Sequence, residues 1–370
     1  MIAFYLRPSA AAAWSCCAGY AALNHALGTA STPDEDNEVR EDGIACHWLA
    51  KEVRNGEQHK SGDLAPNGRE LTDEMFSAVS DYHAVLDSWL PAEVIVEQTI
   101  TVSAVMPYIQ NGTPDAYAID YANRTLYLAD LKFGFRPVEV WRNLQLVIYA
   151  WTLMAMSGCT QACLVIVQPR CPHRDGTVRT WHVSIDDLRP LAAWLCERAA
   201  LALAPNPQCV PNPACRNCAG AHACRALQSA GLGATETAYD AVPLHLTPAE
   251  LGYELTKLQA AAIHIEHRMN GLSAQAESLH KRGNAVPGFT LERAATRWRW
   301  REGAESALQQ LGELFNLTVM ADPKLRSPSQ LRNVFPPVLD VESLYAERPT
   351  GELRLKPTDP NEAIKAFTTR

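Results

Sequence analysis

A change in hydrophobic periodicity near residue 94 constrains the fold of this chain more than any other feature. From there on, short runs rich in β-branched and aromatic residues predict strands over residues 94–102, 116–121, 125–131 and 164–168. Turn signals such as Asn111-Gly112 separate them. Between the third and fourth runs, residues 138–156 have the length and spacing of a helix. A sheet joined by a crossover helix is an α/β core, and we predict one here.

Two aspartates and a lysine lie at the ends of neighbouring predicted strands. Asp115 follows Pro114, and Asp130 precedes Leu131 and Lys132, so a hairpin brings the two carboxylates together. Strand alternation places Asp130 and Lys132 on one face. Paired carboxylates repel each other unless a divalent cation joins them, and their oxygens suit Mg²⁺ or Mn²⁺. Such a cation activates water and stabilises charge on a phosphate, while a neighbouring lysine orients the water or neutralises the developing anion.

The alternative interpretation is an ordinary hairpin end with a solvated salt bridge. Three further features favour a functional site. His47 closes a Gly-x-x-x-His pattern in a helix predicted over residues 43–53, and Glu97 is a charge inside a strand-like run. Gln145 and Tyr149 share one face of the crossover helix. The order of these residues along the chain is the informative signal, because each alone is common in a protein without such a site.

The order Gly-x-x-x-His, Pro-Asp, Asp-x-Lys and Gln-x-x-x-Tyr resembles that of the RecB-type nucleases of the PD-(D/E)XK superfamily, over roughly residues 9–225. The resemblance implies a restriction-endonuclease-like core, in which helices flank a mixed sheet. It also implies an enzyme that hydrolyses DNA phosphodiester bonds with Mg²⁺ or Mn²⁺.

The same resemblance implies roles for individual residues. The metal ligands would be His47, Asp115, Asp130 and the carbonyl of Leu131. Lys132 would be the catalytic lysine, and Gln145 and Tyr149 would place a DNA phosphate or support the site. Glu97 would be a supporting acidic residue.

Three cysteines within ten residues, Cys215, Cys218 and Cys224, lie in a segment with too few apolar residues to form a core. The N-terminus lacks the features of a secretory signal, so we expect a cytoplasmic protein. In that reducing compartment, close-spaced cysteines bind metal more often than they form disulfides. A metal staple is therefore expected, and the spacing alone favours Zn²⁺, with His222 inside the cluster.

The resemblance favours iron over zinc at this segment. RecB-like nucleases of the AddB kind hold a [4Fe–4S] cluster through one cysteine near the N-terminus and three spaced C-x₂-C-x₅-C after the nuclease core. By this similarity the ligands would be Cys17, Cys215, Cys218 and Cys224, with a structural role. Cys17 is preferred over Cys16 because Ala18-Gly19 resembles the Pro-Gly that follows the family's first ligand, and Cys209 is a substitute ligand.

The predicted domains are a nuclease domain with its cysteine segment over residues 1–228, a linker over 229–246 and a helical and small α+β region over 247–370 that binds DNA or a partner. No phosphate-binding P-loop occurs, so the chain carries no helicase motor. The layout resembles a RecB-like family of phages and prophages, whose members act beside a single-strand annealing protein. This implies an exonuclease that resects double-stranded DNA ends, in the host cytoplasm if phage-encoded, with a homo-oligomer as one option.

The net charge of −8 argues against a protein that coats nucleic acid, but it is compatible with a carboxylate-rich metal site. No apolar run reaches the roughly 18 residues of a membrane span, so no membrane partner is expected. Gln168-Pro169-Arg170, which closes the fourth predicted strand, is a candidate DNA-facing segment. The alternatives are a DNA-end-binding or adaptor module with a degenerate nuclease site, and an endonuclease of restriction or CRISPR adaptation.

Overall fold

The structure is a computed structural model that divides into two compact units, Met1–Leu272 and Ser273–Arg370. It describes residues 6–28, 38–89, 92–239, 245–293, 299–301, 303–321, 324–325, 331, 344–347 and 353–357. Among these residues, none of the helices has the length and apolar character needed to cross a membrane.

The first unit is built on one five-stranded mixed sheet with helices on both faces. Its strands are β1 (Val94–Val96), β2 (Ala116–Asp120), β3 (Thr125–Leu131), β4 (Gln161–Val167) and β5 (Val178–Ser184), hydrogen-bonded in that order. Its helices are α1 (Ala11–Cys16), α2 (Gly19–Ala26), α3 (Glu38–Arg54), α4 (Asp73–Asp87), α5 (Leu144–Ser157), α6 (Ile185–Ala202) and α7 (Arg225–Tyr239). Helix α8 (Pro248–Lys281) begins in the first unit, and its residues from Ser273 onward belong to the second. The β3–β4 pair is parallel and the other pairs are antiparallel. The parallel pair requires a crossover, which α5 supplies.

Side chains alternate along β3 between two hydrophobic clusters, one on each face of the sheet. Leu126 and Leu128 belong to the cluster that includes residues of α1, α5 and α6. Ala129 and Leu131 belong to the cluster that includes residues of α3 and α4. All four are fully buried, and each leucine contributes about 1.5–3 kcal/mol of transfer free energy. The predicted α/β core, a mixed sheet flanked by helices, is therefore what the structure shows.

Several element boundaries differ from the sequence-based expectation. Helix α3 begins at Glu38, so residues 38–42 are helical, and α7 covers residues where a linker was predicted. Strand β1 ends at Val96, because Glu97 has a φ of 49°, a left-handed conformation that does not continue a strand. Helix α5 begins six residues after the predicted start. The Asn143 side chain caps it there by accepting hydrogen bonds from the backbone amides of Gln145 and Leu146.

The second unit is described over shorter stretches. Strand pairs form between β6 (Phe289–Arg293) and β11 (Leu353–Pro357), β7 (Arg299–Trp300) and β10 (Ala346–Glu347), and β8 (Met320–Ala321) and β9 (Lys324–Leu325). Its helix α9 spans Ala304–Phe315. A small core there includes Leu308, Val319 and Leu331.

The Gln168 side chain, directly after β4, is fully buried and organises the loop that follows β3. Its amide nitrogen donates to the carbonyls of Gly134 (2.8 Å) and Arg136 (2.7 Å). Its amide oxygen accepts from the Val138 backbone (3.0 Å) and from the guanidinium of buried Arg179 (2.6 Å). Both donors and both acceptor positions of the amide are used. The expectation that Gln168 faces DNA is therefore wrong, because the side chain is enclosed in this network.

We predict that Gln168→Leu lowers the free energy of unfolding by about 2–4 kcal/mol, because it leaves buried backbone groups and a buried guanidinium without partners. Chemical denaturation monitored by tryptophan fluorescence measures the change. Gln161→Leu, at the exposed start of the same strand, is the matched control and should change stability by less than about 0.5 kcal/mol. Equal losses in the two variants would contradict a structural role for the amide network.

Candidate functional site

Three potential metal ligands converge beside the β1–β2 pair. His47 comes from α3, Glu97 follows β1 and Asp115 precedes β2. One ligand atom from each lies within 4.8 Å of the others, and His47 Nδ1 is 3.5 Å from Asp115 Oδ2. All three side chains are half-buried. A backbone hydrogen bond of 3.0 Å from the Glu97 amide to the Asp115 carbonyl holds the two acidic residues side by side.

Glu97 owes its position to an uncommon backbone conformation. A φ of 49° at a residue other than glycine costs on the order of 1 kcal/mol, and such strain is concentrated at functional sites. Burial, and then the neighbouring Asp115 carboxylate, raise the pKa of Glu97. Both effects disfavour the carboxylate form in the absence of a cation. The residue described from the sequence as supporting therefore belongs to the group with metal-ligand geometry.

Asp130 lies deeper than these three residues and pairs with Lys132. The Lys132 ammonium is 2.8 Å from Oδ1 and 2.7 Å from Oδ2 of Asp130, but only Oδ1 accepts a hydrogen bond. Oδ2 is buried and has no hydrogen-bond partner among the described residues. Burial raises the pKa of Asp130 although Lys132 opposes the shift. Burial also opposes the charge on Lys132, but the Asp130 and Asp115 carboxylates outweigh it and raise the pKa of the ammonium.

The hairpin of β2 and β3 brings Asp115 next to these groups. Ala116 pairs with Ala129, and the Asp115 carboxylate accepts a 2.7 Å hydrogen bond from the Leu131 amide. The two aspartates predicted from the sequence are therefore neighbours in space. Asp130 does not join the compact group formed by His47, Glu97 and Asp115, because its carboxylate is turned to Lys132.

Gln145 and Tyr149 lie together on α5, and Tyr149 contacts the segment that leads into Asp115. Tyr149 is buried and hydrogen-bonds with Gln145 and with the backbone of Thr113, and burial raises its pKa to about 12. A Cβ added to Gly112 would lie 2.6 Å from the Tyr149 ring, so the chain passes close to the tyrosine at this glycine. These contacts lie on the backbone two and three residues before Asp115.

Tyr82 on α4 and Lys51 on α3 line the same concavity and were not identified from the sequence. The Tyr82 hydroxyl is buried without a hydrogen-bond partner among the described residues. Burial, and then Asp115, Asp130 and Glu97, raise its pKa well above the usual value. Tyr82 lies in the buried face of α4 with Ala78 and Leu86, so in the sequence it looks like a core residue.

The loop after Lys132 exposes aromatic side chains close to this centre along the chain. Phe135 is 54% exposed and Trp141 is 62% exposed. The Arg170 guanidinium lies 4.3 Å from the ring centroids of both Phe133 and Phe135. The same guanidinium pairs with acidic residues of α3 and α4, so much of its charge is already compensated.

A second site is formed by five cysteines around an apolar cavity. Cys17 lines it together with Cys209, Cys215, Cys218 and Cys224. Cys16, the alternative to Cys17, is exposed. Helix α2 and the cysteine segment approach closely here, because a Cβ added to Gly19 would lie 2.5 Å from the Cys209 sulfur.

The donor set of this cavity fits a thiolate-bound metal group. The Cys209 thiol hydrogen-bonds to Cys17 and Cys224, which lowers the pKa of each to about 6 and raises the pKa of Cys209. Backbone amides of Val210 and Asn212 point to the sulfurs of Cys17 and Cys215, both at 3.4 Å. Thiolates with amide donors at this distance are typical of zinc and iron–sulfur sites.

Comparisons with known proteins gave one family and several solved structures. The profile of the family described as "Protein of unknown function (DUF2800)" matches residues 4–361. No curated protein matches the chain. A phage related exonuclease from Haemophilus somnus 129PT is similar over 54% of this chain and 94% of its own, with 12% identity and a TM-score of 0.26. LHK-Exo, an alkaline exonuclease from Laribacter hongkongensis, is similar over 54% and 89%, with 14% identity and a TM-score of 0.24.

The family profile spans both structural units, from the residues before α1 to the residues after β11. This match over most of the chain shows that the protein belongs to the DUF2800 family.

Proposed function

We propose that this protein is a metal-dependent DNA nuclease that resects double-stranded DNA ends. The observation that carries the proposal is the convergence of His47, Glu97 and Asp115 beside the buried Asp130–Lys132 pair. A carboxylate-rich centre with an adjacent ammonium is suited to an anionic phosphodiester, because cations must offset the charge that develops on the phosphate. The order of motifs that resembles the RecB-type nucleases supports the same function.

His47, Glu97 and Asp115 would hold the cation. Asp130, whose Oδ2 lies 2.7 Å from the Lys132 ammonium, would be a further ligand if its carboxylate turned from Lys132 toward the cation. The two carboxylates suit both Mg²⁺ and Mn²⁺. The imidazole favours Mn²⁺, because it is a poorer ligand for Mg²⁺. When bound, such a cation lowers the pKa of a coordinated water and polarises the phosphate. The raised pKa of Glu97 fits this donor set, because a cation would restore the carboxylate form that burial disfavours.

Lys132 would stabilise negative charge rather than act as a base. Its carboxylate neighbours raise the pKa of the ammonium, so it stays protonated and donates hydrogen bonds. The Asp130 carboxylate fixes its orientation through the 2.8 Å hydrogen bond. Tyr149 and Gln145 would act as positioning residues, through the backbone that leads into Asp115.

DNA as the substrate is supported by the groups around the centre, although the chain carries a net charge of −8. Lys51 lines the concavity that contains the three ligands. Phe135 and Trp141 present exposed rings close to Lys132 in the sequence, and Arg142 lies 4.8 Å from the Trp141 ring centroid. Exposed aromatic rings beside cations stack on unpaired bases, as expected where a duplex end is opened.

The decisive experiment compares degradation of linear and closed-circular duplex DNA with Mg²⁺ or Mn²⁺. We expect the wild-type protein to degrade linear DNA and to spare circles. Asp130→Asn should reduce the rate by about 10²-fold or more, because it removes the negative charge that holds Lys132. Asp120→Asn is the matched control, since Asp120 lies at the end of β2 far from Asp115 and accepts hydrogen bonds from Asn123.

Two outcomes would contradict the proposal. Cleavage of circular DNA at the same rate as linear DNA would show that the activity is that of an endonuclease and not of an exonuclease. No cleavage of either DNA by anaerobically purified protein would favour the DNA-end-binding module.

Metal binding can be measured without any reaction. We predict that isothermal titration with Mn²⁺ alone shows binding to the wild-type protein, and that Glu97→Gln raises the dissociation constant about tenfold or more. The substitution keeps the shape of the side chain but removes its charge. Glu93→Gln, at an exposed position four residues earlier, should leave the constant unchanged. Equal affinities for the two variants would exclude Glu97 as a ligand.

We further propose that the cysteine site holds a [4Fe–4S] cluster bound by Cys17, Cys215, Cys218 and Cys224, with Zn²⁺ as the alternative occupant. The four sulfurs line one cavity, and the cluster would staple α2 to the segment after α6. Such a staple supplies folding free energy to a segment that buries few apolar side chains. The proposed role is structural rather than redox.

The ligand assignment predicts the iron and acid-labile sulfide content of anaerobically purified variants. Cys17→Ser should lose most of both, because a ligand is removed. Cys16→Ser, at the adjacent exposed position, should retain them. Cys209→Ser should also retain them, whereas loss in this variant and retention in Cys17→Ser would make Cys209 the fourth ligand. Stoichiometric zinc without iron or sulfide in the wild-type protein would establish the alternative metal.

A further inference from the structure

Helix α8 carries an uninterrupted heptad pattern that the proposed nuclease function does not use. Apolar residues recur with alternating spacings of four and three positions over 22 residues, a length of about 33 Å. They are Leu251, Leu255, Leu258, Ala262, Ile265, Met269 and Leu272. We call this set the α8 seam. A strict 3.5-residue repeat of apolar side chains is the signature of a helix that packs along a second helix.

The α8 seam is exposed to solvent within the chain. Its six large side chains are each between 40% and 61% exposed. Ile265 lies near α7, where a Cβ added to Gly231 would be 3.8 Å from its Cγ1, and it is still 40% exposed. So long an apolar stripe is costly to leave in water.

Other contacts fix the rotation of α8, so that the seam does not turn inward. Arg268 donates to the carbonyls of Ala221 (3.5 Å) and His222 (3.1 Å) in the cysteine segment. A Cβ added to Gly271 would lie 2.7 Å from the His222 amide nitrogen. One side of α8 therefore packs on its own chain, and the α8 seam faces solvent.

We propose that the α8 seam binds the α8 seam of a second copy of this chain, as an antiparallel two-stranded coiled coil. In an antiparallel pair of α8 helices that cross near residue 260, seam side chains of the two copies meet in layers, and the sizes of the side chains in each layer are complementary. Leu258 would pack on Ala262 of the second copy, Leu255 on Ile265 and Leu251 on Met269. A parallel pair would instead place Ala262 on Ala262 and leave a gap at the middle of the interface.

Charges beside the seam favour the same arrangement. In the antiparallel pair Glu254 faces Arg268 of the second copy, twice by symmetry, and Glu266 faces Gly252. Within its own chain Arg268 donates through Nη1, so Nε and Nη2 are left for the Glu254 carboxylate. Like charges do not meet at any of these flanking positions. In the parallel pair Glu254 would face Gln259 and form no ion pair. Self-complementarity in both size and charge identifies a second copy, rather than an unrelated helix, as the occupant.

The test measures the mass of the full chain by light scattering over a range of micromolar concentrations. We expect a dimer for the wild-type protein. The double variant Leu255→Glu/Leu258→Glu should be a monomer, because each charge would be buried in the interface. The matched control is Tyr253→Glu/Ile263→Glu, which adds the same charges at exposed apolar positions of α8 outside the seam, and it should remain a dimer.

A monomeric wild-type protein, or a control that dissociates as readily as the seam variant, would overturn the proposal. The orientation has its own test in single charge reversals. Glu254→Arg should weaken the dimer about tenfold, since two favourable contacts become repulsive. Glu266→Arg, which faces a glycine, should change the dissociation constant little. Equal effects of the two reversals would overturn the antiparallel arrangement. None of these variants alters the metal centre, so the result is independent of the proposed nuclease activity.

Discussion

The proximity of two partly or fully buried carboxylates, Asp115 and Asp130, is the constraint on which the rest of the structure depends. The register of β2 and β3 brings them together, and the Leu131 amide binds the Asp115 carboxylate at 2.7 Å. Unpaired carboxylates in this position would repel each other and resist burial. Lys132 compensates part of the charge, and Oδ2 of Asp130 still has no hydrogen-bond partner among the described residues. The fold therefore maintains an arrangement that a divalent cation would complete.

Contacts with the backbone next to Asp115 and Lys132 stabilise this arrangement. Tyr149 on α5 packs against the chain at Gly112, just before Asp115. Gln168 fixes the loop after Lys132 with three hydrogen bonds, and a fourth, from buried Arg179, completes that network. Each contact acts on a segment adjacent in sequence to a site residue. The rigidity of the centre is therefore distributed over residues that do not themselves face it, as expected for a preorganised site.

The sequence predicted those parts of the site that depend on local periodicity. Strand alternation placed Asp130 with Lys132, and helical spacing placed Gln145 with Tyr149. It did not predict the left-handed conformation of Glu97, which shortens β1 and turns its side chain into the ligand group, because that conformation depends on tertiary contacts. Buried polar residues were also missed or misread. Tyr82 follows the apolar pattern of α4, and Gln168 follows a strand whose end looked exposed. The hydrogen-bond partners of Gln168 and the carboxylates near Tyr82 lie in segments distant along the chain.

The cysteine segment connects regions that the sequence separates by almost two hundred residues. Gly19 at the start of α2 packs against Cys209, and Arg268 and Gly271 of α8 pack against residues 221 and 222, between Cys218 and Cys224. The segment has few apolar side chains of its own, so the proposed metal group would supply much of the free energy that holds its conformation. The contacts with residues 221 and 222 also fix the rotation of α8 about its axis. They therefore fix the direction in which the α8 seam faces. If the proposed cluster forms, it would be joined to α8 through the short stretch of chain at residues 221 and 222, which Arg268 and Gly271 contact.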